Sequence, residues 1–353
     1  MPVLMLLRAL LQKHMHTHVA AHAAGGLGGG RRCQERSLSF KTSTMEIQYN
    51  EDGSPFVMWG DNKIQFERWP ITEKFYKEKA ETELRETPEV VEKAIQELRE
   101  LLKEEKSLNI AIDNDDFLIR FLRPCKFYAE SAFKKIQSYY KFRQTYEHYC
   151  RDLMPSAVRS AFDHSIISIL APRDQHGRRI MFVESGKNWN AHDCPLSDVF
   201  RGVQMALEAA MTEPRTQICG VNVILDMKGL SFSQVLQFTP SFAKMVVEWA
   251  QDCTPIRLKA VHILNQPYIF NMVFALFKPF FREKLRSRIH FHGSDMESVK
   301  RYVDGRALRQ RHGGTLPEIE VSGELLWKML SHYEEEFKLA NSYGYKTANG
   351  VSK

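Results

Sequence analysis

The sequence predicts an α/β fold: a three-helix module at the amino end, then a sheet-and-helix domain with a mobile apolar gate helix. Three observations carry that expectation. Within residues 73–150 apolar residues recur at helical spacing in a Glu- and Lys-rich background. From Ser165 onward short apolar runs alternate with helical stretches, which implies a largely parallel sheet under helical cover. Between Arg257 and His292 an almost wholly apolar helix sits between two strands and is followed by a basic tract.

In the first region, Thr87 suits a helix cap and Pro88 a first helical turn, with Val91, Ala94, Ile95, Leu98, Leu101 and Leu102 on one face. A second helix follows Asp113–Asp116, carrying Phe117, Leu118, Phe121 and Leu122. The third spans Ala129 to Tyr146 with Phe133, Ile136, Tyr139, Tyr140 and Phe142. Beyond the break at Asp152–Pro155, Ile166–Leu170 and Ile180–Val183 read as strands joined through Asp174-Gln175-His176-Gly177. Asp198–Met211 reads as a helix and Val221–Leu225 as a strand ending at Asp226. Ser233 is placed to cap a helix running to Asp252. Strand Leu258–Leu264, the apolar helix, strand Ile289–His292 and a short helix near Met296–Tyr302 complete the order. The expected division is 1–44, a disordered extension; 45–72, an irregular lead-in; 73–150, the helical module; 151–317, the sheet domain; and 318–353, a C-terminal helix and tail.

Composition narrows the class. The 353 residues are 43% apolar and 26% charged, ordinary for a globular protein. The net charge of +6 is mild, but Cys253–Gly314 alone holds twelve Lys or Arg against four Asp or Glu. Six cysteines without CxxC spacing fit a reduced, cytoplasmic chain with neither disulfide framework nor zinc site. No apolar run reaches the length of a membrane-spanning helix. In the first 44 residues Arg8 splits an already short apolar run and no acid precedes Glu35, a poor secretory signal and a somewhat better presequence.

Catalytic constellations are missing from the sequence. It holds no GxSxG, GxxxxGK[ST] or HExxH, and no cysteine followed six positions later by arginine. His290 and His292 share one strand face without a third metal ligand nearby in sequence. Asp226 ends a strand where α/β folds place ligand contacts, and equally where a side chain caps the next turn. The expectation is therefore no enzyme, cofactor, metal or nucleic-acid partner.

The apolar helix is the positive signal. Ile269 to Phe281 is interrupted only by Asn271, Lys278 and Pro279. A helix greasy all round needs core, lipid or bilayer on every side, and at about 20 Å it is too short to span. Arg282, Lys284, Arg286 and Arg288 follow, and grease beside cations suits reversible contact with an anionic membrane. The competing reading is a core helix with a solvated basic turn. An elongated ligand burying about 300–400 Å² beneath such a helix gains on the order of 8–10 kcal/mol before association costs.

At these residues the chain resembles the CRAL-TRIO lipid-binding family, in the branch of the α-tocopherol transfer protein and the cellular retinaldehyde-binding protein. The resemblance runs from about Leu98 to Pro317. It is carried by Phe117-Leu118-Ile119-Arg120-Phe121-Leu122-Arg123, by Gly220 to Gly229, by Lys259-Ala260-Val261-His262-Ile263-Leu264-Asn265-Gln266-Pro267, by Lys278-Pro279-Phe280 and by Arg288 to Gly293. It implies a lid over Gln266–Phe281 and a pocket for one hydrophobic ligand, with Val203, Leu207, Ile224, Asp226, Phe232, Phe238, Val246, Phe270, Phe274 and Phe277 as candidate lining and Gln204 as the polar group within it. It further implies phosphoinositide contacts at Arg257, Lys259, Lys284 and Arg288. Arg257 and Lys259 share a strand face and Lys284 and Arg288 a helical one, in keeping with a single patch. Pro124-Cys125-Lys126 departs from the branch, which commonly has Ala-Arg and another charge there. The functional expectation is a monomeric carrier of a tocopherol-like, retinoid-like or phospholipid ligand, peripherally associated with phosphoinositide membranes. The alternative is a phosphoinositide-binding adaptor of endosomal or trans-Golgi membranes whose cavity is structural.

Overall fold

The computed structural model describes residues 45–168, 170–319 and 322–346, so the expectations for residues 1–44 lie outside the described part. The lead-in folds as a small antiparallel sheet of β1 (Gln48–Tyr49), β2 (Pro55–Trp59) and β3 (Asn62–Gln65). Gly53, in the left-handed region at φ 80°, turns the chain between the first two strands. Trp59 is fully buried, and its indole N–H donates to Pro317 O at 2.9 Å.

Helix α1 (Lys74–Leu84) precedes the three expected helices, α2 (Pro88–Glu104), α3 (Asp115–Leu122) and α4 (Ala129–Thr145). Thr87 caps α2 with Pro88 in its first turn, and Asn114 caps α3 by accepting from Phe117 N at 2.9 Å. Leu98, Leu102, Leu118, Leu122 and Ile136 form the core of this module. Between α2 and α3, β4 (Leu108–Asn109) pairs antiparallel with β9 (Gly344–Tyr345), which ties the C-terminal segment to the module.

Four parallel strands form the main sheet in the order β5 (Arg179–Val183), β6 (Val221–Asp226), β7 (Leu258–Leu264) and β8 (Ile289–Gly293). They coincide with the expected apolar runs. Strands buried on both faces read as nearly unbroken hydrophobic stretches, as β5 and β6 do, whereas β8, with His290 and His292, is half-exposed. The connections carry α5 (Leu196–Ala210), α6 (Pro214–Cys219), α7 (Pro240–Glu248) and α8 (Phe270–Phe277). Helices α9 (Ser322–Ser331) and α10 (Glu334–Asn341) close the described chain.

Of the strand expected at 166–170, residue 169 lies outside the described part; Ile167 bridges Val183 antiparallel, and Ala171 just beyond it bridges Ile180. One expected element differs. The helix expected from Ser233 to Asp252 is broken. Ser231 caps a single turn at Phe232–Val235, then Thr239 caps α7 with Pro240 at its first position, and a π turn, Trp249–Cys253, ends the run. Proline lacks the N–H that a continuous helix requires, so Thr239-Pro240 restarts the helix.

At the outer edge of the sheet Glu213 is completely buried among cations and donors. Arg179 Nε donates to it at 3.1 Å, Arg173 lies at 3.3 Å, and Thr216 Oγ1 and Glu67 N donate at 2.6 and 2.9 Å. Burial opposes ionisation, but the Arg179 and Arg173 charges prevail and hold the carboxyl at about 2. A folded value below the ordinary 4.5 adds stability that is complete above about pH 4.5 and is lost as pH falls towards 2. That window is worth on the order of 3 kcal/mol. Glu213→Gln is therefore expected to flatten unfolding free energy against pH between 4.5 and 2 in urea titrations; an unchanged slope would contradict this assignment.

Candidate functional site

Side chains of a strand alternate between its faces, and the sheet uses this to separate two chemistries. On one face stand Met181 and Val183 of β5, Val223 and Leu225 of β6, Val261 and Ile263 of β7 and Ile289 of β8. With α5, α7 and α8 they enclose a cavity of about 280 Å³. Among the described residues no charged side chain lines it, and the hydroxyls that do are those of Ser185 and Thr254. A space of this lining offers a ligand burial of apolar surface and almost no directed hydrogen bonding.

Helix α8 covers the cavity. Phe270, Val273, Phe274 and Phe277 all face it, at the i, i+3, i+4, i+7 spacing of one helical side. Phe274 also packs edge-on against Phe291, ring centres 4.9 Å apart. Pro279 follows in a 3₁₀ turn, Lys278–Phe280, that ends the helix. Beyond it Arg282 N donates to Gln251 Oε1 at 2.8 Å and its guanidinium grips Asp252, so the C-terminal end of the cover is latched to the π turn. At the other end Tyr268 is 85% exposed.

Seven of the expected lining residues meet in this cavity: Val203, Leu207, Phe238, Val246, Phe270, Phe274 and Phe277. Four do not. Ile224 and Asp226 have the opposite strand parity and point to the other face, where Ile224 is core. Gln204 is buried with its amide nitrogen 2.7 Å from Tyr149 O, turned towards the helical module. Phe232 is 41% exposed on the short turn that Ser231 caps. The strand residues Met181, Val183, Val223, Leu225, Val261 and Ile263 went unnoticed in the sequence; on β6 the polar neighbours Asn222 and Asp226, which mark the opposite face, could have found Val223 and Leu225.

Polar side chains occupy the far face. Asp226 accepts from Lys228 N and Asn265 Nδ2 at 2.9 Å each, and from His312 Nε2 at 3.0 Å. These bonds outweigh burial and keep its carboxyl below the ordinary value. Glu184, Asp226 and His312 converge, but Arg309 and Arg311 already meet Glu184 at 2.8 and 3.0 Å, so the cluster is charge-balanced without an added cation. His290 and His292 share their face with His262. His262 Nδ1 lies 3.0 Å from His292 Nε2, and the His262 and His290 rings stack 5.3 Å apart. Burial, reinforced by the neighbouring His292 and His290, holds His262 at about 3, so it is neutral at physiological pH.

The basic residues gather at the amino ends of β7 and β8. Arg257 donates to Ile218 O and reaches Glu83 at 2.6 Å; Lys259 lies 3.5 Å from the same carboxylate. Gly220 makes this possible. At φ 87° it lets the backbone pass so close that a Cβ would sit 2.1 Å from Arg257 O. Arg288 donates to Leu258 O, and partial burial with the nearby Arg257 charge lowers its pKa. Among the described residues Arg288 and Lys284 have no carboxylate partner within ion-pair distance. Lys284 stands on the single turn Glu283–Arg286 just past the cover, on the side of Lys135. Glu83, which comes from α1, carried no signal in the sequence.

Residues 163–314 match the CRAL/TRIO domain model, and residues 87–153 the Pinta-like UBA domain model. The chain is 34% identical over 261 residues to the mouse protein "Alpha-tocopherol transfer protein-like", covering 73% of this chain and 75% of that one. The chain belongs to the CRAL-TRIO family. To rat Clavesin-1 it is 30% identical over 278 residues, 78% of this chain and 77% of the relative. The human "Alpha-tocopherol transfer protein-like" matches at 33% over 69% of this chain and 71% of its own. The CRAL-TRIO match begins at the lead to the main sheet and ends past His312, so it takes in the cavity, its cover and both polar groups. No helix among the described residues is long and apolar enough to cross a membrane.

Strand parity yields a direct test. Leu225→Asn places an amide in the cavity wall and is expected to lower the affinity of an apolar fluorescent probe by about five- to 150-fold, given the roughly 1–3 kcal/mol cost of burying an unpaired amide. Ile224→Val, its neighbour on the opposite face, is expected to cost about 0.5–1.5 kcal/mol in urea unfolding while leaving probe affinity unchanged. Equal effects of the two on probe binding would mean that the probe lodges elsewhere.

Proposed function

We propose that this protein is a non-enzymatic intracellular carrier of one hydrophobic molecule, tocopherol-like, retinoid-like or a phospholipid, which it exchanges at phosphoinositide-bearing membranes. The observation that carries this reading is the charge-free cavity beneath α8. The family relationship and the tocopherol-transfer name of the 34% identical relative support it. Water cannot hold such a ligand alone, whereas an apolar compartment with two hydroxyls can, at about 25 cal/mol per Å² of surface buried.

Exchange requires α8 to lift. It is latched at its C-terminal end through Gln251, Asp252 and Arg282, and those contacts are exposed, where ion pairs are worth little. Tyr268 just before the helix and Ala275 on it are exposed, and Met272 and Leu276 are half-buried, side chains suited to the interface of a bilayer. In this reading Lys284 and Arg288, which among the described residues have no carboxylate partner, meet headgroup phosphates together with Arg257, which lies near Arg288, and Lys259. In this cycle the membrane both attracts the cover and receives it.

Protein purified from cells without detergent is expected to release a stoichiometric lipid on organic extraction, identified by mass spectrometry. An empty cavity with undiminished vesicle binding would overturn the carrier role and favour a phosphoinositide-binding adaptor. Lys284→Ala with Arg288→Ala is expected to weaken binding to phosphatidylinositol-bisphosphate vesicles about thirtyfold, from roughly 1 kcal/mol per cation, without change in melting temperature. Unaltered binding in flotation assays would remove the basic patch from the mechanism.

A further inference from the structure

We infer that Glu83 of α1 is an internal anion that occupies the phosphate site and must be displaced by an incoming headgroup, so that it sets the charge a ligand needs in order to bind. The inference rests on the basic patch proposed above. Four cations face this carboxylate's surroundings at the edge of the sheet. Glu83 touches Arg257 at 2.6 Å, Lys259 at 3.5 Å and Lys79 at 3.7 Å, while Arg288 lies beside Arg257. Among the described residues no other carboxylate lies within ion-pair distance of Arg257 or Lys259. Its position is that of a bound anionic oxygen, bridging a guanidinium and two ammonium groups.

The pair does not have the geometry of a purely structural bridge. The Glu83 side chain is 38% exposed, so solvent and a membrane surface both reach it. Arg257 and Arg288 are instead fixed from behind by the backbone carbonyls of Ile218 and Leu258, contacts that survive if the carboxylate leaves. The docking of α1 has its own apolar support, since Ala80 and Leu84 pack on Ile218 and Cys219. Glu83 can thus swing away while the helix and the cations stay in place. A phosphate monoester near −2, or two phosphates on one headgroup, outcompetes a single carboxylate for this set of cations; a lone carboxylate or phosphodiester, at −1, exchanges like for like. The group that displaces Glu83 is therefore a multiply charged, phosphorylated one.

The test compares the intact chain with Glu83→Gln and, as a control for net charge, Glu81→Gln, an exposed position of α1 in no ion pair. Probes are phosphatidylcholine vesicles bearing phosphatidylinositol bisphosphate, vesicles bearing phosphatidylserine at equal total charge, and free inorganic phosphate. Glu83→Gln is expected to tighten bisphosphate-vesicle binding at least fivefold and to raise phosphatidylserine binding, while Glu81→Gln changes either less than twofold. Loss of the gain when Arg257→Gln and Lys259→Gln are added would locate it at this site. Free phosphate that binds as tightly as the vesicles would assign the site to soluble phosphate and overturn the lipid-headgroup role. Equal gains from Glu81→Gln and Glu83→Gln would reduce the effect to net charge and overturn the inference. If Glu83→Gln changes nothing while Lys284→Ala with Arg288→Ala weakens binding, Glu83 is a structural tether and the patch stands. If neither changes binding, the patch itself fails.

Discussion

The alternation of side chains along four parallel strands is the constraint on which the rest of this structure depends. One residue of shift would exchange the faces of the sheet. Val223 and Leu225 would then leave the cavity, and Asn222 and Asp226 would enter it. As built, Asn222, Asp226, His262, His290 and His292 all lie on the far face, where Asp226 finds His312 and His262 finds His292. Each of these polar groups would need a partner if it faced an apolar ligand, and none would have one. Keeping Asn222, Asp226, His262, His290 and His292 on one side is what leaves a compartment of hydrocarbon on the other.

The same parity explains which parts of the site could be read from the sequence. The strands and the cover announce themselves, because an unbroken apolar run has few alternatives in a protein of ordinary composition. Phe270, Phe274 and Phe277 follow from helical spacing alone. On β6, by contrast, Val221 to Leu225 is apolar throughout apart from Asn222, so nothing local distinguishes Val223 from Ile224. Only the polar neighbours do so: Asn222 and Asp226 share parity with Ile224, and that side is the one with partners. Gln204 misleads for a related reason. It lies on a helix that contributes Val203 and Leu207 to the cavity, but its amide is taken by a carbonyl of the helical module.

Long-range pairs were the least legible. Glu83 stands 174 positions before Arg257, and Arg179 and Glu213 are 34 apart. No periodicity relates such residues: the Glu83 contact exists only after α1 has docked on the sheet domain, and the Arg179 contact only after β5 has met the turn that leads into α6. The patch was therefore visible as a set of cations but not as a set already partnered. The restart of the helix at Thr239-Pro240 was legible in principle, as proline after a capping residue, and it matters because it places Phe238 at a bend where it reaches the cavity.

The energetics of the cover follow from where it sits. Lifting α8 into water would expose the buried Phe270 and Val273, at about 1.5–3 kcal/mol each, and the half-buried Phe274 and Phe277 at less, a total of at least about 3–6 kcal/mol. An opening of that cost is rare in solution, and a ligand beneath it is retained. Against a bilayer the balance changes, because lipid tails are as apolar as the cavity they replace and the transfer of these side chains becomes nearly neutral. What remains to be broken is the exposed latch at Asp252 and Arg282, which contributes little in solvent and less where anionic headgroups compete for the same guanidinium. Opening is then governed by what lies outside the cover rather than by a strained hinge within it. On the carrier reading proposed above, this arrangement needs no separate trigger, since the surface that would accept the cargo is also the solvent in which the cover is cheap to open.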